Sequence, residues 1–284
     1  MALKRDFLLK LFLDTVKSDM LHLGYSAPGQ PLAWADLPAA QLAYEDRMVG
    51  LIPEATSSIL EVGCGTGHTT ARLQRQGLPV QCLSPDILQK EIIEKKFGRS
   101  IVFHNTTFED LDVDGRYQLI LMLESFGYIA LERCLEQCRR YLTADGRVLI
   151  ADIFRQDRNR EYKSFHVWDD VVAATRSHGF ECRLVEDITG NIVPTLDLAA
   201  SVYAQFVVPI VDTLYGAAMH SIDKKKLKKL PLKLARALFQ KKIDALLADA
   251  HQRVPTILSG DYFAQHARYL IVELRPVAEG RPAA

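Results

Sequence analysis

The stretch Ile59 to Thr70, ILEVGCGTGHTT, constrains this chain more than any other. A polar-to-apolar strand onset (Ser57, Ser58, Ile59, Leu60, Glu61, Val62) runs into glycines at every second position, Gly63, Gly65 and Gly67. A helix-competent run from Thr69 to Arg75 follows. Strand, glycine turn and helix form the opening unit of a nucleotide-binding α/β fold. The backbone must turn tightly there, and a ligand must lie against it without a Cβ in the way. The spacing also sorts ligands. A dinucleotide fingerprint reads G-x-G-x-x-G and offers helix amides to a pyrophosphate. This chain reads E-x-G-x-G-x-G, with Glu61 two residues before the first glycine. A carboxylate there repels a pyrophosphate and suits a ligand with an ammonium group, which counts against a nicotinamide dinucleotide.

The nine residues from Ile59 to Gly67 closely resemble motif I of the class I S-adenosylmethionine (SAM) methyltransferases. That resemblance implies a Rossmann-like α/β fold: a mostly parallel seven-stranded sheet with helices on both faces. N-terminal helices and a helical insertion before the last strand complete the expected architecture. It also implies SAM as cofactor and S-adenosylhomocysteine as product. Glu61 would hold the methionine ammonium, and backbone around Gly63, Cys64 and Gly65 would lie against the amino-acid portion and ribose.

Other segments extend the likeness. Asp19 to Ser26, DMLHLGYS, is similar to an H-x-G-Y segment ahead of the core in the tocopherol and cyclopropane-fatty-acid types, which implies that Tyr25 lies over the SAM pocket. The short apolar strand Leu78 to Leu83 ends with Cys82 where many SAM enzymes carry a ribose-binding acid. Cys82, Leu83 and Ser84 resemble the polar-Leu-Ser pattern of the lipid-modifying branch. A thiol is a poor acceptor, so Ser84 or backbone groups take the ribose role. Asp86 reads as a helix cap. Thr107 and Phe108 match positions that contact adenine in the family. The fourth strand, Tyr117 to Leu123, is a continuous apolar run, as a strand buried on both faces requires. It ends in LESFGYI at the carboxyl edge of the sheet, where open α/β folds bind ligands. The resemblance therefore aims Leu123, Glu124, Ser125, Phe126 and Tyr128 at the SAM methyl and the acceptor. Gly127 and Tyr128 stand where cyclopropane synthases carry a Glu-His pair, which argues against that chemistry.

The remaining chain gives the organisation. Residues 1–56 read as an N-terminal helical segment or lid, and 57–190 as the SAM-binding core. Residues 191–267 read as a helical insertion over the substrate, 268–276 as the final core strand, and 277–284 as a flexible tail. Lys+Arg 35 against Asp+Glu 35 leaves no net charge, which argues against a general nucleic-acid binder. The five cysteines form no CxxC or Cys/His cluster, so they read as free thiols in a reducing compartment, with no metal site. The opening MALKRDFLLKLFLD is too short and too charged to span a membrane and reads as an amphipathic helix. No transmembrane segment and a cytoplasmic location are expected. Residues 224–242 hold nine basic side chains and no acid, alongside Leu227, Leu230, Leu234 and Leu238. Such a run reads either as a solvated outer face or as a contact for a carrier protein or membrane surface.

The expected function is methyl transfer from SAM, by in-line displacement, to a small or lipophilic specialised-metabolite acceptor. The alternative is a SAM-binding protein of the same fold without methyl transfer, such as a cyclase or regulatory partner. No base is assigned. His22, Tyr25, Tyr128 and His166 are the candidates, with His220 a further imidazole that titrates near neutrality.

Overall fold

The computed structural model describes residues 18–158, 161–224 and 248–277. The expected amphipathic helix up to residue 17, the basic stretch over 225–242 and the tail from 278 lie outside the described residues.

Seven strands form one sheet in the order β3-β2-β1-β4-β5-β7-β6. They are β1 (Ile59–Val62), β2 (Val80–Leu83), β3 (Val102–His104), β4 (Tyr117–Leu123), β5 (Leu142–Arg155), β6 (Phe180–Asp187) and β7 (Ala267–Pro276). The pairs β1/β2, β1/β4, β2/β3 and β4/β5 are parallel, whereas β7 runs antiparallel to both β5 and β6. The sheet is therefore mixed, with β7 reversed. Its two faces follow from the pleat, since successive side chains point to opposite sides. Leu60, Val62, Ile120 and Met122 pack on one face beneath α4 (Leu131–Tyr141) and α5 (Trp168–Ser177). Ile59, Leu119 and Leu121 pack on the other. There they meet Tyr44 and Met48 of α1 (Leu37–Val49) and Leu73 of α2 (His68–Arg75). The helix α3 (Ile87–Phe97) joins β2 to β3, and Asp86 caps it by accepting the N–H groups of Leu88 and Gln89 at 2.8 and 3.2 Å.

Pro38 sits in the first turn of α1, where its missing N–H has no intrahelical partner to lose. Asp145-Gly146, a dipeptide that favours a turn, is looped out inside one long β5: Tyr117 faces Leu142, yet Leu119 faces Arg147.

Between β6 and β7 the chain is helical where described: α6 (Thr189–Val202), a π-helical turn (Tyr203–Val207) and α7 (Val208–Lys224). It returns through a second π-helical turn (Asp249–Arg253), α8 (Val254–Leu258) and α9 (Gly260–His266). The run Thr189–Ala217, 29 residues long with a mean hydropathy of 1.4 over its most apolar window, is long and apolar enough to cross a membrane by length and composition. That qualifies the expectation of no such segment. Its first half is nonetheless packed on the sheet through the fully buried Ile192, while Phe206 of the π-helical turn and Ile210 and Leu214 of α7 are exposed.

Candidate functional site

A cleft of about 620 Å³ opens at the carboxyl ends of β1, β2 and β4. The glycine turn forms its floor. Gly63 has φ +79°, and a Cβ built there would lie 2.4 Å from the Cβ of Ser125. Only glycine meets both demands. The Ser125 hydroxyl donates to the Val62 carbonyl at 2.5 Å, and the Gly63 amide donates to the Leu83 carbonyl at 2.9 Å. The ends of β1, β2 and β4 are thus laced together just below the cleft.

Glu61 lies at the end of β1 and is buried. Among the described residues its side-chain hydrogen-bond partner is the Thr70 hydroxyl, and no lysine or arginine pairs with it. Burial pushes its pKa up to about 8, against the opposing Thr70 bond. A carboxyl held this way binds a proton unless a cation arrives. Glu45 on α1 shows the contrast. Burial would raise its pKa too, but hydrogen bonds from His68 and Arg72, both at 2.9 Å, prevail and hold it down to about 2.

The next wall comes from β2, β3 and the loops after them. Leu83, Ser84, Thr107 and the buried Phe108 all line the cleft. The Ser84 hydroxyl donates to Gln89 of α3 at 2.7 Å and the Thr107 hydroxyl to Asp110 at 2.8 Å, so both already have partners nearby in sequence. Phe108 offers a flat apolar surface.

The segment 18–26 closes the cleft from above. Thr66 donates to the Asp19 carbonyl, Lys96 pairs with the Asp19 carboxylate at 2.7 Å, and Leu21 lies over Gly65. His22 packs its ring on Tyr44, with centroids 4.5 Å apart, and bonds through Nδ1 to the Leu23 carbonyl. A carbonyl can only accept, so Nδ1 carries the proton and Nε2 a bare lone pair. That Nε2 is buried without a partner, and burial lowers the ring's pKa, so the imidazole stays neutral. The same segment is fastened by Glu124, which accepts the Leu23 amide at 2.8 Å.

The cleft therefore brings together Glu61, Gly63, Cys64, Gly65, Leu83, Ser84, Thr107, Phe108 and Leu123, with His22 and Tyr128 beside them. Three expectations are corrected. Cys82 is fully buried in a cluster with Cys64, Ile93 and Ile101 and does not line the cleft, because it points to the opposite side of β2. Tyr25 packs against the core on the α1 side instead of lining the cleft, its amide donating to the Ala40 carbonyl. His166 also lies outside the lining; its Nε2 bonds to the Ile129 carbonyl at 3.0 Å and its ring meets Phe126 edge-on. Sequence reasoning left Glu124 out of the candidate bases, although it lines the cleft and is the non-glycine residue with positive φ among those described.

Comparison with known proteins decides between ligand classes. Residues 33–180 match the model of a family described as a methyltransferase domain. The chain belongs to the class I SAM-dependent methyltransferase family. Its cofactor is SAM. One relative, the SAM-dependent Diels-Alderase iccD of Talaromyces variabilis, is 25% identical over 238 residues, covering 71% of this chain and 79% of its own. The crystal structure of the [4+2]-cyclase SpnF shares the fold with a TM-score of 0.66 and 16% identity, covering 97% of this chain and 95% of its own. A geranyl diphosphate methyltransferase solved with GPP and sinefungin gives 0.62 and 13%, covering 90% and 89%. The residues of the cleft fit the family's cofactor. Glu61 lacks a cation among the described residues, Gly63 carries no side chain at the floor, and Phe108 lines the cleft with a flat apolar ring.

Proposed function

We propose that this protein transfers a methyl group from SAM to a small or lipophilic acceptor. The observation that carries the reading is the buried, uncompensated Glu61 carboxyl at the glycine turn. In this reading Glu61 holds the ammonium of the cofactor's methionine moiety. Backbone at Gly63, Cys64 and Gly65 lies along that moiety and the ribose, Ser84 serves the ribose, and Thr107 and Phe108 frame the adenine. The bound cofactor supplies a methyl group activated by a positively charged sulfur, which the acceptor takes by in-line displacement. The protein aligns the partners and keeps water out, with the segment 18–26 as cover. The exposed apolar side chains of α7 and the geranyl diphosphate substrate of a fold neighbour support a lipophilic acceptor.

Titration calorimetry with SAM and S-adenosylhomocysteine tests the site. Both should bind, and Glu61→Gln should weaken both about tenfold or more, the value of a lost charge-assisted hydrogen bond. Absence of heat from either ligand would sink the reading.

A second reading has its own support, because the Diels-Alderase relative matches most of this chain. In that case SAM is held as a structural ligand beside a cyclising substrate. Labelled SAM with an acceptor panel separates the two: methyl transfer releases S-adenosylhomocysteine, and cyclisation does not.

A further inference from the structure

The cleft holds a second carboxyl, half-buried, and its surroundings are specific. Glu124 follows directly on β4 with φ +55°, a conformation that costs a non-glycine residue energy and persists only where neighbours enforce it. Here they do. Its Oε1 accepts the Leu23 amide at 2.8 Å and the Tyr269 hydroxyl at 2.9 Å. Tyr269 gives its proton to Glu124, so Tyr44 donates to Tyr269, at 2.7 Å. Oε2 has no hydrogen-bond partner among the described residues, and no cation among them pairs with the carboxyl. Val62 pairs with Met122 in the sheet, which sets Glu124 alongside the glycine turn, across the cleft floor from Glu61. A SAM molecule carries two positive centres, the ammonium and the sulfonium. Glu61 accounts for one of them.

Resting on the function proposed above, we infer that Oε2 of Glu124 faces the methyl-donating centre and takes the proton of the acceptor, which is therefore a hydroxyl or an acidic carbon. The acceptor's X–H proton passes to Oε2, and the electron pair left behind forms the X–CH3 bond. The carbon–sulfur bond breaks with its pair staying on sulfur, and the proton leaves Glu124 for water. A neutral amine acceptor needs no such base. The fixed Oε1 keeps the carboxylate aimed while Oε2 works. Burial raises the Glu124 pKa to about 7, with the nearby Asp152 acting in the same direction, which suits a base at neutral pH.

The titratable groups around Glu124 are Tyr269 on β7, Tyr44 on α1, Asp152 on β5, Glu61 on β1 and His22 on the covering segment. Burial holds both tyrosines well above their ordinary range. Asp152 is held by the Gly127 and Ile153 amides at 3.0 and 2.7 Å.

Sinefungin, which carries an amine in place of the methyl sulfonium, is the probe, with S-adenosylhomocysteine as its neutral counterpart. Both carry the same α-ammonium, so any effect of Glu61 cancels in the ratio of their affinities. In the wild type that ratio should favour sinefungin at pH 8 and fall as pH drops to 6 and Glu124 takes up its proton. Glu124→Gln keeps an acceptor for Leu23 and Tyr269, so S-adenosylhomocysteine affinity should stay within about twofold while the ratio falls about tenfold. An unchanged ratio in a variant that still binds S-adenosylhomocysteine overturns the inference. Should Glu124→Gln fail to fold, the wild-type profile decides, and a ratio flat between pH 6 and 8 overturns it. If neither nucleoside binds the wild type, the SAM reading itself is what fails.

Discussion

Gly63 has two independent reasons to be glycine, and each predicts the same defect. Gly63→Ala would place a methyl group 2.4 Å from the Ser125 Cβ and force an L-residue to φ +79°. Loss of about 2 kcal/mol or more in urea unfolding is expected, with SAM affinity reduced beyond what Glu61→Gln causes. Glu61 predicts a pH effect with a definite sign. Its pKa of about 8 means that it is protonated in the free protein at neutral pH, while an ammonium ligand needs it ionised. SAM affinity should therefore weaken as pH falls from 8.5 to 6.5, measured by calorimetry in buffers of matched ionic strength. Glu61 was legible because its signal is local, a carboxylate two positions ahead of a glycine turn. The place of Glu124 was read from the resemblance, but the contacts that hold it were not, because they involve a backbone angle and a tyrosine 145 residues away. Cys82 misled for a reason of period: it occupies the right strand and the wrong face of it.

At the level of elements, the extended segment 18–26 owes its place to α1. Gln41 is fully buried; it accepts the Ser18 hydroxyl at 2.7 Å and donates to the Met20 and His22 carbonyls at 2.8 and 2.7 Å. Segment and insertion are also joined directly, since Gly24 donates to Thr195 at 3.1 Å and Ser26 to the Asn191 carbonyl at 3.0 Å. Gln41→Ala should lower stability by about 2 kcal/mol, the cost of orphaning buried carbonyls, and loosen SAM binding in the same samples. The central strands were readable because β1 and β4 are apolar apart from Glu61 and Gln118. The path of segment 18–26 was not, since irregular chain fastened by contacts from several distant elements has no periodic pattern to read. Asp145-Gly146 is a sound turn signal that the surrounding β-pairing overrides.

For the whole molecule, three carboxyls, Glu61 and Asp152 buried and Glu124 half-buried, act in one direction. Burial raises Glu61 to about 8, Glu124 to about 7 and Asp152 to about 6, against ordinary values of 4.5, 4.5 and 3.8. Each binds its proton more tightly in the folded state. The stability they contribute is fully present below about pH 4 and is lost as pH rises through 6 to 8. Above the range where the buried histidines titrate, the ligand-free melting temperature should therefore fall between pH 7 and 8.5, and SAM should raise it more at the alkaline end, where it meets an ionised Glu61. A thermal-shift series with and without SAM checks both slopes. The mixed sheet carries a further consequence, for biosynthesis. Among the described strands β6 pairs with β7 alone, and β7 comes after all the others in sequence. A ribosome therefore releases residues 180–187 long before their partner exists, leaving both β6 borders open while the helices between are made. Tyr269, which donates to Glu124, arrives with that same late strand, so this hydrogen bond forms only once the sheet closes.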